Sequence, residues 1–179
     1  MTKQELEMCI TEYGKDIYAF CKYLTNNLSE AEDLYQDTFL MVVKLMEKID
    51  YGSNPKSYLL SVALRIWKNK KRKFAWRKRI ADVRSVIDEK DAAMGESTEM
   101  SLEERIITRE KDEFVREAVN KLSDKLKIII LLFYMEELST AQIADVMKIP
   151  IGTVLSRLYQ ARKILRKELE DVLDGKPVR

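Results

Sequence analysis

The stretch STAQIADVMKIPIGTVLSRLYQARKILRK, residues 139–167, limits what this chain can fold into more than any other feature. Ser139 followed three residues later by Gln142 is a capping box, which opens a helix over 140–147 with Ile143, Ala144 and Met147 facing inward. Lys148 to Gly152 is read as a tight turn, Pro150 and Gly152 ending the first helix and setting the start of a second. At about 100° per residue, Val154, Leu158, Ala161 and Leu165 share one side of that second helix. Leu155, Ser156, Tyr159, Gln160 and Lys163 share the other. No acid occurs from 146 to 167, whereas Lys148, Arg157, Arg162, Lys163, Arg166 and Lys167 all do, which suits a helix lying among phosphates. The pattern is a helix-turn-helix with a core face and a groove-facing one.

The remainder of the chain is also expected to be helical. Among its 179 residues there are only 5 glycines and 3 prolines, and apolar residues recur at three and four rather than two. Ile10, Tyr13, Ile17, Phe20, Cys21 and Leu24 trace a first helical stripe that stops at Asn26-Asn27. Ser29 with Glu32 is read as the capping box of a second helix, running through Leu34, Phe39, Val42 and Met46 toward Ile49. After a turn at Tyr51 to Pro55, a third helix runs from about Lys56 to about Arg79. Segment 82–104 carries eight acids against Arg84 and Lys90, has weak periodicity, and is assigned as a linker. The expected fold is therefore all-α: a three- to four-helix domain over 1–81, the acidic linker 82–104, and a helix-turn-helix domain over 105–179.

A net charge of +2 hides strong segregation. Residues 1–50 are acidic, with ten acids against five lysines, whereas 65–79 hold nine bases and no acid. That tract, RIWKNKKRKFAWRKR, mixes cations with Trp67, Phe74 and Trp76, the combination that single-stranded nucleic acid favours because every base offers a stacking face and every nucleotide a phosphate. Trp67 continues the stripe of Leu60, Ala63 and Leu64 and is assigned to the core, while the periodicity leaves Trp76 undecided. The tract is too rich in charge and too poor in leucine for a membrane-surface helix to be the first choice. With no histidine and only Cys9 and Cys21, the chain lacks the means for a zinc site or a disulfide scaffold, and the two cysteines read as small core residues. The longest apolar run, Ile128 to Met135, falls short of the ~18 residues that span a bilayer, and the polar N-terminus does not read as a signal peptide; a cytoplasmic protein is expected. No catalytic triad, metal cluster or phosphate loop is present in the sequence, so no enzyme, cofactor or small-molecule substrate is expected.

The order of EAEDLYQDTFLMVV at 30–43, PKSYLLSVALRIWKN at 55–69, an acidic linker, and ELSTAQIADVMKIPIGTVLSRLYQAR at 137–162 resembles a bacterial RNA polymerase sigma factor. The likeness is to the small extracytoplasmic-function class of the sigma-70 family, which keeps only the second and fourth regions. It implies that Asp33, Gln36, Asp37 and Phe39 dock on the clamp helices of core RNA polymerase; from the residues alone, that helix shows only a solvated acidic face. It implies that the third helix reads and melts the promoter −10 element through Arg65, Lys68, Asn69, Arg72, Lys73 and Trp76. A flipped base would sit beside the loop at Tyr51 to Lys56. Arg65 stands where relatives usually carry asparagine, a departure that bears on which −10 base is preferred.

The same resemblance assigns −35 recognition to the second helix of the helix-turn-helix, with Thr153, Leu155, Ser156, Arg157, Tyr159, Gln160, Arg162 and Lys163. Leu155 suits a thymine methyl and Gln160 an adenine, while Arg157, Arg162, Lys163 and Arg166 suit phosphates. The acidic linker would thread the channel later used by RNA, and members of the class are commonly silenced by a cognate anti-sigma factor, often membrane-bound. Two other readings are a stand-alone helix-turn-helix regulator, which leaves 30–43 without a task, and an RNA-binding adaptor, which would ignore duplex sequence.

Overall fold

The computed structural model describes residues 1–45, 54–81 and 113–173, and every regular element among them is helical. The chain divides into two compact units, Met1–Ala93 and Met94–Arg179.

In the first unit, α1 (Lys3–Thr25) begins at a capping box that the apolar stripe does not announce. The Glu5 amide donates to Thr2 Oγ1 at 3.2 Å, and the Thr2 amide donates to Glu5 Oε2 at 2.6 Å. It ends at Asn26, which takes the left-handed conformation (φ 59°) while its amide donates to the Lys22 carbonyl. Helix α2 (Leu28–Leu45) starts one residue before Ser29, so the expected Ser29/Glu32 capping box is not its cap. Asn27 performs that role, its Oδ1 accepting the Glu30 amide at 2.9 Å. Since Asn26 already turns the chain, the first side chain able to reach the open amides of α2 is Asn27, and Ser29 is left inside the helix. Asn54 does the same for α3 (Pro55–Ala81), accepting the Ser57 amide at 3.1 Å, with Pro55 in the first helical position.

The three helices pack pairwise around Cys9, Ile17, Phe20 and Cys21 of α1, Leu34 and Val42 of α2, and Leu59, Leu60, Ala63, Leu64 and Trp67 of α3. Both cysteines are buried free thiols, and burial among apolar neighbours, with Glu12 and Glu5 nearby, pushes the Cys9 thiol up. Gly14 allows α1 to approach α2 closely: a Cβ there would stand 3.1 Å from the Tyr35 hydroxyl. Tyr18, Tyr35 and Phe39 continue that seam as edge-to-face rings with centroids 5.5 and 4.9 Å apart. Lys56 pairs with Asp16 at 2.8 Å and Lys70 with Asp37 at 2.8 Å, tying α3 to α1 and α2.

The second unit is helical over 113–121 (α4), then α5 (Asp124–Ile130), which runs into a π-helical turn at Leu131–Met135. The Glu136 amide closes that turn on the Leu131 carbonyl at 3.1 Å. The helix-turn-helix follows as α6 (Thr140–Met147) and α7 (Ile151–Leu173). Ser139 and Gln142 form the expected capping box. Lys148 (φ 53°), rather than Pro150 or Gly152, ends α6. The Ile149 amide donates to Ala144 and the Lys148 amide to Asp145, the paired closure of a Schellman motif. Pro150 supplies the carbonyl that receives the Thr153 and Val154 amides, and Gly152 lies inside α7 in space open to a Cβ, so it is no breaker. Val154, Leu158 and Ala161 of α7 are buried with Ile143, Val146 and Met147 of α6 and the apolar block of α5, while Leu165 is half-buried. The readings at Met46 and Ile49, at Tyr51 to Ser53, and of the acidic linker at 82–104 fall outside the described residues.

Candidate nucleic-acid and protein interfaces

Three surfaces follow from this packing, two on the first unit and one on the second. The first is the outer face of α2. Helical spacing puts Asp33, Gln36, Asp37, Leu40 and Val43 on one stripe. Asp33 and Gln36 are exposed, Asp37 is half-exposed and carries the ion pair to Lys70, and Leu40 is 57% and Val43 46% exposed. Phe39, grouped with them by the resemblance, is buried, its ring edge-on to that of Tyr35 one turn earlier on the same helix. Leu40 and Val43 are the residues sequence reasoning missed here. They occupy positions where an amphipathic helix should be polar, which is the signal that would have found them.

The second surface is the far half of α3. Leu59 to Leu64 and Trp67 bury its first half, whereas every residue from Lys68 to Arg79 is exposed, with Phe74 at 71% and Trp76 at 64%. Arg65, Lys68, Asn69, Arg72, Lys73 and Trp76 therefore all lie on solvent-facing helix. Arg72 donates to Asn69 Oδ1 at 3.2 Å, and Lys71 caps the edge of the core by lying 4.6 Å from the Trp67 ring centroid. Two large aromatics held in water among nine cations and no acid leave a surface whose favourable contacts are phosphates and unstacked bases.

The third is the outer face of α7. Leu155 (52% exposed), Ser156, Tyr159 (71%), Gln160 and Lys163 project from one side, as the helical count requires. Thr153 is half-buried at the start of the helix, and its carbonyl accepts Ser156 Oγ at 3.1 Å. Arg157 is half-buried on the flank. Arg162 is exposed, yet its Nε donates to the Tyr134 hydroxyl at 2.8 Å. Tyr134 lies twenty-eight residues away on the π turn, and no local spacing in the sequence announces that contact. An α7 of this form can lay Leu155, Tyr159 and Gln160 against base edges while flanking cations hold the backbone.

Comparison with known proteins bears on all three surfaces. The family model described as sigma-70 region 2 matches residues 9–78, and that described as sigma-70, region 4 matches residues 115–165. The chain is 27% identical over 168 residues to the ECF RNA polymerase sigma factor SigW of Bacillus subtilis, an alignment covering 89% of this chain and 86% of that one. It is 25% identical to the RNA polymerase sigma-H factor of Pseudomonas aeruginosa, with 96% and 89% covered. Among solved structures, the sigma factor RpoE of Bartonella quintana, in complex with the anti-sigma factor NepR, superposes with a TM-score of 0.75 at 25% identity over 94% of this chain and 96% of that one. The first two surfaces lie within the first match, and the α7 face lies within the second.

Proposed function

The chain belongs to the sigma-70 family, in its extracytoplasmic-function class, and we propose that its two units divide the work of promoter recognition between them. It is a sigma factor: it binds core RNA polymerase and directs promoter-specific initiation. It is not an enzyme, since bond formation belongs to the polymerase. The observation that carries the reading is the order of two family matches, each falling on a unit with its own acid-free basic face, 65–79 in one and 146–167 in the other.

In the proposed division, α2 docks on the polymerase through Asp33, Gln36 and Asp37, with Leu40 and Val43 supplying the apolar centre that a protein interface needs. Phe39 acts from beneath, fixing the helix through Tyr35. The exposed half of α3 engages the −10 element, where cations hold the displaced strand and Trp76 and Phe74 offer stacking faces. Helix α7 reads the −35 duplex from the major groove with Leu155, Ser156, Tyr159 and Gln160, while Arg157, Arg162 and Lys163 hold phosphates and Thr153 sits at the point where the helix meets the backbone. Residues 1–81 and 105–179 are the two functional domains, with 82–104 joining them. The site of action is the cytoplasm, where core polymerase works; no helix among the described residues is long and apolar enough to cross a membrane. The complex of the Bartonella relative with an anti-sigma factor supports a cognate anti-sigma factor as a regulatory partner of this chain.

Permanganate footprinting of promoter DNA with core polymerase, with and without the chain, tests the division. Reactive −10 thymines that require the chain are expected, and they should be lost in a Trp76→Ala, Lys73→Ala variant that still binds core. Unchanged opening in that variant would remove α3 from the melting step.

A further inference from the structure

Arg162 is held by side chains distant in sequence. Phe133 and Tyr134, consecutive on the π turn, stand edge to face with centroids 5.0 Å apart. The guanidinium carbon of Arg162 lies 5.1 Å from the first ring centroid and 5.5 Å from the second, and its Nε donates to the Tyr134 hydroxyl at 2.8 Å. This is a surface assembly, with Tyr134 56% exposed and Arg162 exposed. Such an arrangement adds little to stability, because neither side chain is removed from water. Its consequence is geometric: one guanidinium N–H and the guanidinium face are committed, leaving the terminal nitrogens as a fixed two-pronged donor.

The position of that donor is informative. Leu155, Tyr159 and Arg162 are spaced at four and three, so Arg162 lies on the same stripe, one to two turns beyond the groove-facing residues. A side chain tethered to another element cannot follow base edges into a groove, but a stiff planar fork at the rim suits the two oxygens of a phosphate.

We propose that Tyr134 is a positioning residue for promoter binding, holding Arg162 as a preformed clamp on a backbone phosphate beside the −35 element. The proposal rests on the reading of α7 as the −35 helix. The contact is independent of sequence, and its benefit comes from ordering a rotamer-rich side chain before DNA arrives. Releasing that order should weaken binding about fivefold, within the range expected for immobilising one such side chain.

The test is equilibrium binding of holoenzyme, made from core polymerase and the full chain, to a promoter fragment across a potassium chloride series. Wild type, Tyr134→Phe, Arg162→Ala, Arg162→Lys and the Tyr134→Phe, Arg162→Ala double variant are compared, with thermal melts of each free chain. Arg162→Ala is expected to lower the salt slope by ~0.9, one phosphate contact. Tyr134→Phe, which keeps the ring, should cost about fivefold in affinity with the salt slope nearly intact, and Arg162→Lys should resemble it. In the Arg162→Ala background, Tyr134→Phe should cost nothing further. Equal losses from Tyr134→Phe in both backgrounds, or no loss in the wild-type background, would overturn the positioning role. Wild-type holoenzyme that shows no preference for the promoter fragment would instead overturn the −35 reading, and the clamp with it.

Discussion

At the scale of single residues, the proposed −35 reading divides the face of α7 into side chains that discriminate bases and side chains that hold the backbone. Gln160 is exposed at the centre of the reading face and carries an amide able to pair with adenine, whereas Lys163 offers only a mobile charge. Gln160→Ala should relax preference at one −35 position by ~1–3 kcal/mol, and Lys163→Ala should weaken all sequences alike. Selection from a randomised −35 library reads the difference, and a uniform loss from both would contradict the division. Arg162→Ala is the poorer probe, since it also breaks the contact to Tyr134. Two glycines separate just as cleanly. A Cβ on Gly14 would meet the Tyr35 hydroxyl at 3.1 Å, while one on Gly152 would meet nothing within 4 Å. Gly152→Ala should stabilise the second unit by ~0.5–1 kcal/mol in denaturant melts, and Gly14→Ala should destabilise the first as the Tyr35 ring is pushed from Phe39.

Among the elements, helix boundaries show what a sequence conveys and what it conceals. The apolar stripes located α1, α2, α3, α6 and α7, because burial of one face determines periodicity. Caps are settled by which side chain reaches an open amide once the preceding turn is formed. Ser29 fits the capping pattern, but the left-handed Asn26 makes Asn27 the residue in reach. Asn27→Ala should therefore cost ~1 kcal/mol of stability, and Ser29→Ala close to nothing, by urea denaturation; equal effects would return the cap to Ser29. Phe39 was placed on the docking face by resemblance; its contact with Tyr35, four residues earlier on the same helix, follows from helical spacing, while its burial shows only in the fold. The π turn at Leu131–Met135 sits within a continuous apolar run, where no period separates a π turn from ordinary helix, so the meeting of Tyr134 with Arg162 could not be read from spacing.

For the whole molecule, charge segregation and the order of the motifs were legible because both are linear properties of the chain. A net charge of +2 says nothing, whereas an acidic first fifty residues, an acid-free basic tract at 65–79 and a second at 146–167 suit the proposed chain that meets a protein and a nucleic acid on separate faces. Leu40 and Val43 interrupt the polar face of α2 already in the sequence, and the fold shows that α1 and α3 leave them uncovered. Neither a stand-alone regulator nor an RNA adaptor has a use for the α2 face, but a factor that bridges polymerase and promoter needs it together with both basic surfaces. Run-off transcription from a library of promoter fragments, using core polymerase with and without the chain, tests that account most directly. The account predicts initiation that depends on the chain and occurs at fragments sharing a −35 and a −10 motif; binding of the chain alone to duplex DNA, with no change in initiation, would contradict it.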